Sequence, residues 1–310
     1  MKTTQRLYLP GCLLGVLLAF HPVSAQETAP GIRQKAQPAA QASPETQKEA
    51  GRLALYPRSK GDIRKQLKLI AARKATAGIA PDVQAAVNTL NSYRYLSGLN
   101  SEVAADSEFN TQAQEAARVC AQNNKIAHDL GGHTESCNLF AGKGTLTNSM
   151  HVYMNDPGDN NRAERGHRRN SMSYNLDKVG FGQKGDFSAM RVFGKGTRNE
   201  RAEQGWSYPG RGYYPKEWML GNGWSYYPPD GVTLDKDTKV SMWKVTSSPK
   251  AALPTDTEPK GKKIAVGQIY AHPRNLVFEP QLPANAKGKG IYWVRIVSGD
   301  FTDQYVVELF

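Results

Sequence analysis

Asn155–Gly182 reads NDPGDNNRAERGHRRNSMSYNLDKVGFG, which sets a turn, a histidine and the start of a strand within one short stretch. In Asp156-Pro157-Gly158-Asp159, proline presets φ, glycine allows a positive φ, and the aspartates can bond nearby backbone N–H groups. Asn160 and Asn161 then lead to Gly166-His167-Arg168-Arg169, and Val179-Gly180-Phe181-Gly182 reads as the opening of a strand. A histidine between a glycine and two arginines, just past a structured turn, is poorly explained as filler.

Reading outward from this stretch, Asn148–Met154 is a short helix that Asp156-Pro157-Gly158 terminates. Downstream, Val179–Phe181 and Phe187–Phe193 form a hairpin around Lys184-Gly185-Asp186. Upstream, Pro81-Asp82 opens a helix in which Val83, Val87, Leu90 and Tyr93 recur at helical spacing, with Gly98 as its C-cap glycine. The next helix follows Asn110, with an inner stripe of Ala113, Ala116, Ala117, Cys120, Asn124 and Ala127 and with His128 at its end. Helices followed by sheet, rather than strictly alternating units, predict an α+β domain over 81–204.

The flanks have a different character. Lys2 and Arg6, the apolar run Leu13–Phe20 and Val23-Ser24-Ala25 make residues 1–25 a signal peptide, which predicts a secreted or periplasmic protein. The apolar run mostly follows Cys12, so Leu9-Pro10-Gly11-Cys12 does not read as a lipid attachment box. Residues 26–52, rich in Ala, Gln and Pro, read as a disordered tether. In the basic helical leader, 53–80, Ile63, Leu67 and Ile70 recur between cations, which suits a helix packed on the domain with a solvated basic face. No later run approaches the about 20 apolar residues of a transmembrane span.

The formal net charge of +12 is unevenly placed. Residues 26–80 hold 11 Lys and Arg against four acids, and everything beyond residue 80 carries only +3. A folded part so nearly neutral argues against nucleic acid as a partner; the basic leader favours anionic surfaces such as lipid or wall polymers. Beyond Cys12 only Cys120 and Cys137 remain, an even pair that predicts a disulfide worth about 3 kcal/mol in an oxidising compartment.

The stretch 205–229 interleaves eight Trp and Tyr residues with Pro and Gly. It reads as a connector whose aromatics cement it onto its domain, in preference to a carbohydrate platform. Residues 230–310 then alternate strands and turns: Val240–Val245, Ile264–Tyr270, Leu276–Glu279, Ile291–Val297 and Tyr305–Phe310, with a turn-rich segment at 283–290. This pattern predicts a small all-β sandwich of immunoglobulin or fibronectin type with no catalytic motif.

Four histidines, His128, His133, His151 and His167, fall within 40 residues, which invites a metal or general-base reading although no HExxH or CxxC spacing is present. His133 in Gly131-Gly132-His133 suits an exposed loop, and His151 a half-buried helix side chain; His128 and His167 are the better candidates.

Taken together, Leu90-Asn91-Ser92-Tyr93-Arg94, Ser97-Gly98-Leu99, His128, Asn155-Asp156-Pro157-Gly158, Gly166-His167-Arg168-Arg169 and Val179-Gly180-Phe181-Gly182 resemble the CAP superfamily of cysteine-rich secretory proteins, antigen 5 and group 1 pathogenesis-related proteins. The likeness covers roughly residues 80–200 and is nearest to bacterial exported members. It implies an α-β-α sandwich whose cleft holds two histidines and two acids that bind Zn2+ in some members. His128 and His167 match the two histidines and so become the candidate metal ligands. The acids depart from the pattern: Cys137 stands where the first belongs unless Glu135 reaches in, and the second falls near Asn155 with Asp156 beside it. Two function classes follow. One is an exported binding or scaffold module for envelope or extracellular lipid, glycan or protein. The other is a metal-assisted peptidase or wall or lipid-ester hydrolase using His128 and His167 with Glu135 or Asp156 as base. The altered acids favour the first, since neutral imidazoles without carboxylates hold a divalent cation weakly.

Overall fold

The computed structural model describes residues 55–158, 161–194, 205–221, 223–282 and 290–310. The residues read as a signal peptide and a tether, and nearly all of the 283–290 turn segment, lie outside the described residues.

The first lobe is an α-β-α sandwich. Its sheet has the order β1-β3-β4-β2, built from β1 (Ala104–Ala105), β2 (Cys137–Ala141), β3 (Lys178–Lys184) and β4 (Phe187–Arg191). The expected hairpin is the β3–β4 pair, turning at Gly185 with φ 58°. Alternation along β3 divides the layers. Val179 and Phe181 enter the core shared with α2 (Pro81–Leu96) and α4 (Leu146–Asn155). Gly180 and Gly182 face α3 (Ser107–Gln122), so closely that a Cβ on either would run into the backbone of Phe109 or Gln114.

Side chains of α3 also complete the hydrogen bonding of β3. Asn110 Oδ1 accepts the Phe181 N–H at 2.9 Å, and Gln114 Oε1 accepts the Gln183 N–H at 3.1 Å while its Nε2 donates to Gln183 O at 2.9 Å. The helix thus covers an edge that the two-residue β1 leaves largely bare. Its small stripe, Ala113, Ala116, Ala117 and Cys120, packs on Cys137, Leu139 and Ala189.

Two expectations for this region need correction. Helix α3 ends at Gln122 and Asn124 turns left-handed at φ 47°, so Asn124 and Ala127 leave the stripe and His128 lies in the following loop. The Cys120–Cys137 disulfide is not formed: both thiols are free and buried in the Ala-rich cluster, where apolar packing satisfies them without a bond. Burial raises both thiol pKa values, that of Cys137 to about 12, so neither is a thiolate at neutral pH. Alkylation of the unreduced protein should therefore leave both unmodified when native and modify both once unfolded; protection persisting after unfolding would contradict the free thiols.

The leader helix α1 (Lys60–Ala71) is capped by Ser59, whose Oγ accepts the Asp62 N–H. It buries Ile63 and Ile70 and leaves Arg64, Lys65 and Lys68 in solvent, as its pattern predicts.

The second lobe is a β-sandwich. One sheet runs β10-β11-β7-β5 and the other β6-β13-β12-β8-β9. The strands are β5 (Trp206–Tyr208), β6 (Gly212–Tyr214), β7 (Trp224–Tyr227), β8 (Lys239–Val245), β9 (Gly261–Ile264), β10 (Val266–His272), β11 (Asn275–Pro280), β12 (Gly290–Ser298) and β13 (Phe301–Leu309). Rings from the two sheets meet in the middle, with Tyr226 stacked on Tyr305 at 6.2 Å and Trp224 edge-on to Tyr292 at 6.1 Å.

The stretch read as a connector is therefore part of the sandwich, because it supplies β5 and β7 to one sheet and β6, parallel to β13, to the other. The single strand expected at 264–270 is two strands that break at Ala265 and belong to different sheets. The lobes share one apolar core: Leu90, Tyr93, Met150 and Phe181 belong to the same cluster as Tyr208, Trp224, Phe278 and Tyr292.

Candidate functional site

Helix α4 is started by a capping box, in which Thr145 Oγ1 accepts the Asn148 N–H and Asn148 Oδ1 accepts the Thr145 N–H. It stops where Asp156 turns left-handed, φ 46°, and donates its N–H to Val152 O. Asp156 thereby faces the start of the next helix, α5 (Gly166–Ser171). Its Oδ2 accepts the His167 N–H at 2.9 Å, and its Oδ1 lies 3.0 Å from His167 Nδ1.

The carboxylate does two jobs: it satisfies an orphan donor of α5 and it orients the imidazole. In the neutral ring, an Nδ1–H directed at Asp156 leaves Nε2 as the acceptor nitrogen. Asp156 is 2% exposed in its side chain and His167 19%, so the acid is sealed while the ring keeps an open edge. Tyr153 meets that ring edge-on at 5.5 Å. Asn138 fixes the helix from the sheet side: its Nδ2 donates to His167 O at 3.1 Å, and its Oδ1 accepts from Asn170 Nδ2 at 3.1 Å.

His128 is arranged differently. It is exposed, its Nδ1 lies 2.9 Å from Thr134 O, and Thr134 Oγ1 donates back to His128 O at 3.2 Å and to Gly131 O at 2.8 Å. The ring thus closes a small loop. Glu135 is exposed in the short 3₁₀ turn Thr134–Ser136, where its one side-chain partner is the Ser136 hydroxyl at 3.3 Å among the described contacts.

Of the four candidate residues, Asp156 and His167 are brought together. No contact among the described residues joins His128 or Glu135 to them. His133 is an exposed loop residue at φ 69°.

The donors present do not fit the Zn2+ that the resemblance implies. Nε2 of His128 and His167 is open, but no described contact brings the two rings together, both oxygens of Asp156 are spent on His167, and the Cys137 thiol is held protonated. Among the described residues no group of three His, Cys, Asp or Glu is placed to hold a metal.

His151 sits outside the pair. Its Nδ1 shares a hydrogen bond with the Tyr93 hydroxyl at 2.7 Å, and it lies beside Trp218. Burial lowers its pKa below the ordinary 6.5. The folded state therefore favours the neutral ring, and its contribution to stability is full above about pH 6.5 and lost as pH falls toward the depressed folded value. Denaturation from about pH 7 to about pH 5 should show a steeper loss for the wild type than for His151→Gln, which keeps an acceptor without titrating. Equal slopes would contradict this role.

The residues that sequence reasoning missed are the arginines beside His167 and the amide Asn138. Arg168 is fully buried; its Nε donates to Met154 O at 2.6 Å and its Nη1 to Gly223 O and Ser225 Oγ, both at 2.8 Å. Its guanidinium also lies 4.2 Å from the Tyr208 ring centroid. Desolvation lowers its pKa to about 10, which still leaves it charged at neutral pH. Arg165 Nη1 donates to Asn155 O and Asp156 O, and its Nη2 pairs with Glu279 at 3.0 Å. The doubled cation next to a buried turn was the available signal, because planar donors suit carbonyls gathered from several elements.

Residues 87–192 match the family model described as CAP, the cysteine-rich secretory protein family. No curated protein and no solved structure matches the chain. The segment that builds the Asp156–His167 pair is a CAP domain of the cysteine-rich secretory protein family, and the β-sandwich lies beyond the matched residues.

Proposed function

We propose that the protein is an exported CAP-domain binding or scaffold module, acting at the cell envelope or outside the cell on a lipid, glycan or protein. The observation that carries this reading is the use made of the Gly166-His167-Arg168-Arg169 stretch. Arg168 spends its donors on carbonyls of both lobes, and Asp156 spends both oxygens on His167, so the motif's charged groups hold a two-lobed body together. A rigid composite surface suits recognition.

The test is retention of the purified chain on insoluble envelope material. The reading expects saturable retention that the His128→Ala/His167→Ala variant keeps. Absence of retention on wall polymer, envelope lipid and envelope protein alike would overturn it.

A second reading, hydrolysis, is favoured by one observation: a sealed aspartate orienting a histidine whose Nε2 is open is the arrangement of a general base. It would have to act without the acid at position 137 that the resemblance calls for.

A further inference from the structure

A cavity of about 650 Å³ lies outside the CAP segment, between helix α1 and one end of the five-stranded sheet. Lys60, Arg64, Lys244 and Lys262 line it, with Ile291 and the ring of Phe310 among its apolar surfaces. Glu308 is the one carboxylate side chain on its wall, and it is already engaged: Lys60 Nζ lies 2.9 Å away, and the Tyr56 hydroxyl donates to it at 3.1 Å.

The remaining cations are uncompensated. Among the described residues Arg64, Lys244 and Lys262 have no carboxylate partner; the guanidinium of Arg64 rests 4.9 Å from the Phe310 ring, and Lys263 next door takes Glu258 instead. Lys244 and Lys262 are moreover direct cross-strand partners in the β8–β9 register. Like charges directly opposite destabilise an antiparallel pair. A cavity of ligand size that holds two opposed lysines and an arginine, none of them paired with an acidic side chain among the described residues, is arranged for a negative charge brought from outside.

We infer that this cavity binds a phosphate-bearing anion with an apolar flank, either a soluble phosphate ester or the headgroup of an anionic phospholipid. Arg64, Lys244 and Lys262 hold the phosphate by charge-assisted hydrogen bonds, and Ile291 and Phe310 take the apolar part. The inference goes beyond the proposed function and does not depend on it, since every residue named lies outside the CAP segment.

The test uses the full chain and two probes. One is glycerol 1-phosphate, followed by titration calorimetry; the other is phosphatidylcholine vesicles with or without phosphatidylglycerol, followed by cosedimentation. Lys244→Ala/Lys262→Ala removes the opposed pair, and Lys143→Ala/Lys184→Ala removes equal charge from exposed sites on the CAP lobe. The expected result is saturable, salt-sensitive binding of at least one probe, weakened about tenfold in the first variant and unchanged in the second.

Binding of glycerol 1-phosphate in solution identifies a soluble ester, and binding of phosphatidylglycerol vesicles alone identifies a headgroup. Loss of like-charge repulsion should leave the first variant no less stable than wild type, which separates lost binding from lost folding. Failure of both probes to bind, or equal weakening in the two variants, would overturn the proposal.

Discussion

Arg168→Ala should lower the unfolding free energy by about 3–5 kcal/mol. The side chain is fully buried and donates to Met154 O at the end of α4 and to Gly223 O and Ser225 Oγ at the start of β7, while stacking on Tyr208. Alanine would leave these acceptors without a donor inside the protein and open a void beneath the ring. Arg168→Lys should recover little, because a single ammonium cannot span acceptors on separate elements as the guanidinium fork does. Urea unfolding monitored by circular dichroism measures both variants. A loss below about 1 kcal/mol for alanine would mean that the arginine is not the joint between lobes that its contacts describe.

Gly180→Ala should cost about 3 kcal/mol or more, at the upper end of what overpacking does. A Cβ at this position would overlap the Phe109 carbonyl and the Asn110 nitrogen, which are backbone atoms of α3 and cannot rotate aside. The helix would have to lift from the sheet, and lifting would also break the bond from the Phe181 N–H to Asn110 Oδ1. Gly185→Ala provides the contrast within the same hairpin: it meets no neighbouring atom and bears only the strain of φ 58°. If both substitutions cost the same, close approach of α3 to β3 is not what Gly180 serves.

Much of the first lobe was legible because its signals are local. Pro81 and Gly98 bracket α2, and Gly98 takes φ 80° with the Leu99 N–H closing onto Arg94 O, as a C-cap glycine does. Asp156-Pro157-Gly158 stops α4 as expected, although the positive φ falls on Asp156 and not on Gly158, and the same turn places Asp156 against His167. What was not legible depends on distant partners. The strands β5, β6 and β7 are three or four residues long and punctuated by Pro and Gly, and they exist because β11 pairs with β7, β7 with β5, and β13 with β6. The stripe of α3 ran on to Ala127 in the sequence, but Asn124 turns out of the helix.

For the candidate site, the sequence set His167 just past a turn and could not say which acid would meet it. Asp156 does so through a turn that brings it back to the N-terminus of α5, whereas Glu135 stays in solvent. The cysteine pair shows the same limit. Cys120 and Cys137 share a cluster, as a disulfide reading requires, yet apolar burial accounts for both thiols.

The measurement that tests the account most directly is the release of soluble fragments from purified wall polymer, casein and lipid-ester substrates. Wild type, His167→Ala and Asp156→Asn should be assayed with and without added zinc. A binding module predicts no release that depends on His167 or Asp156. Turnover by the wild type that both substitutions abolish, in variants that still fold and are still retained on envelope material, would contradict it and make the Asp156–His167 pair the catalytic centre.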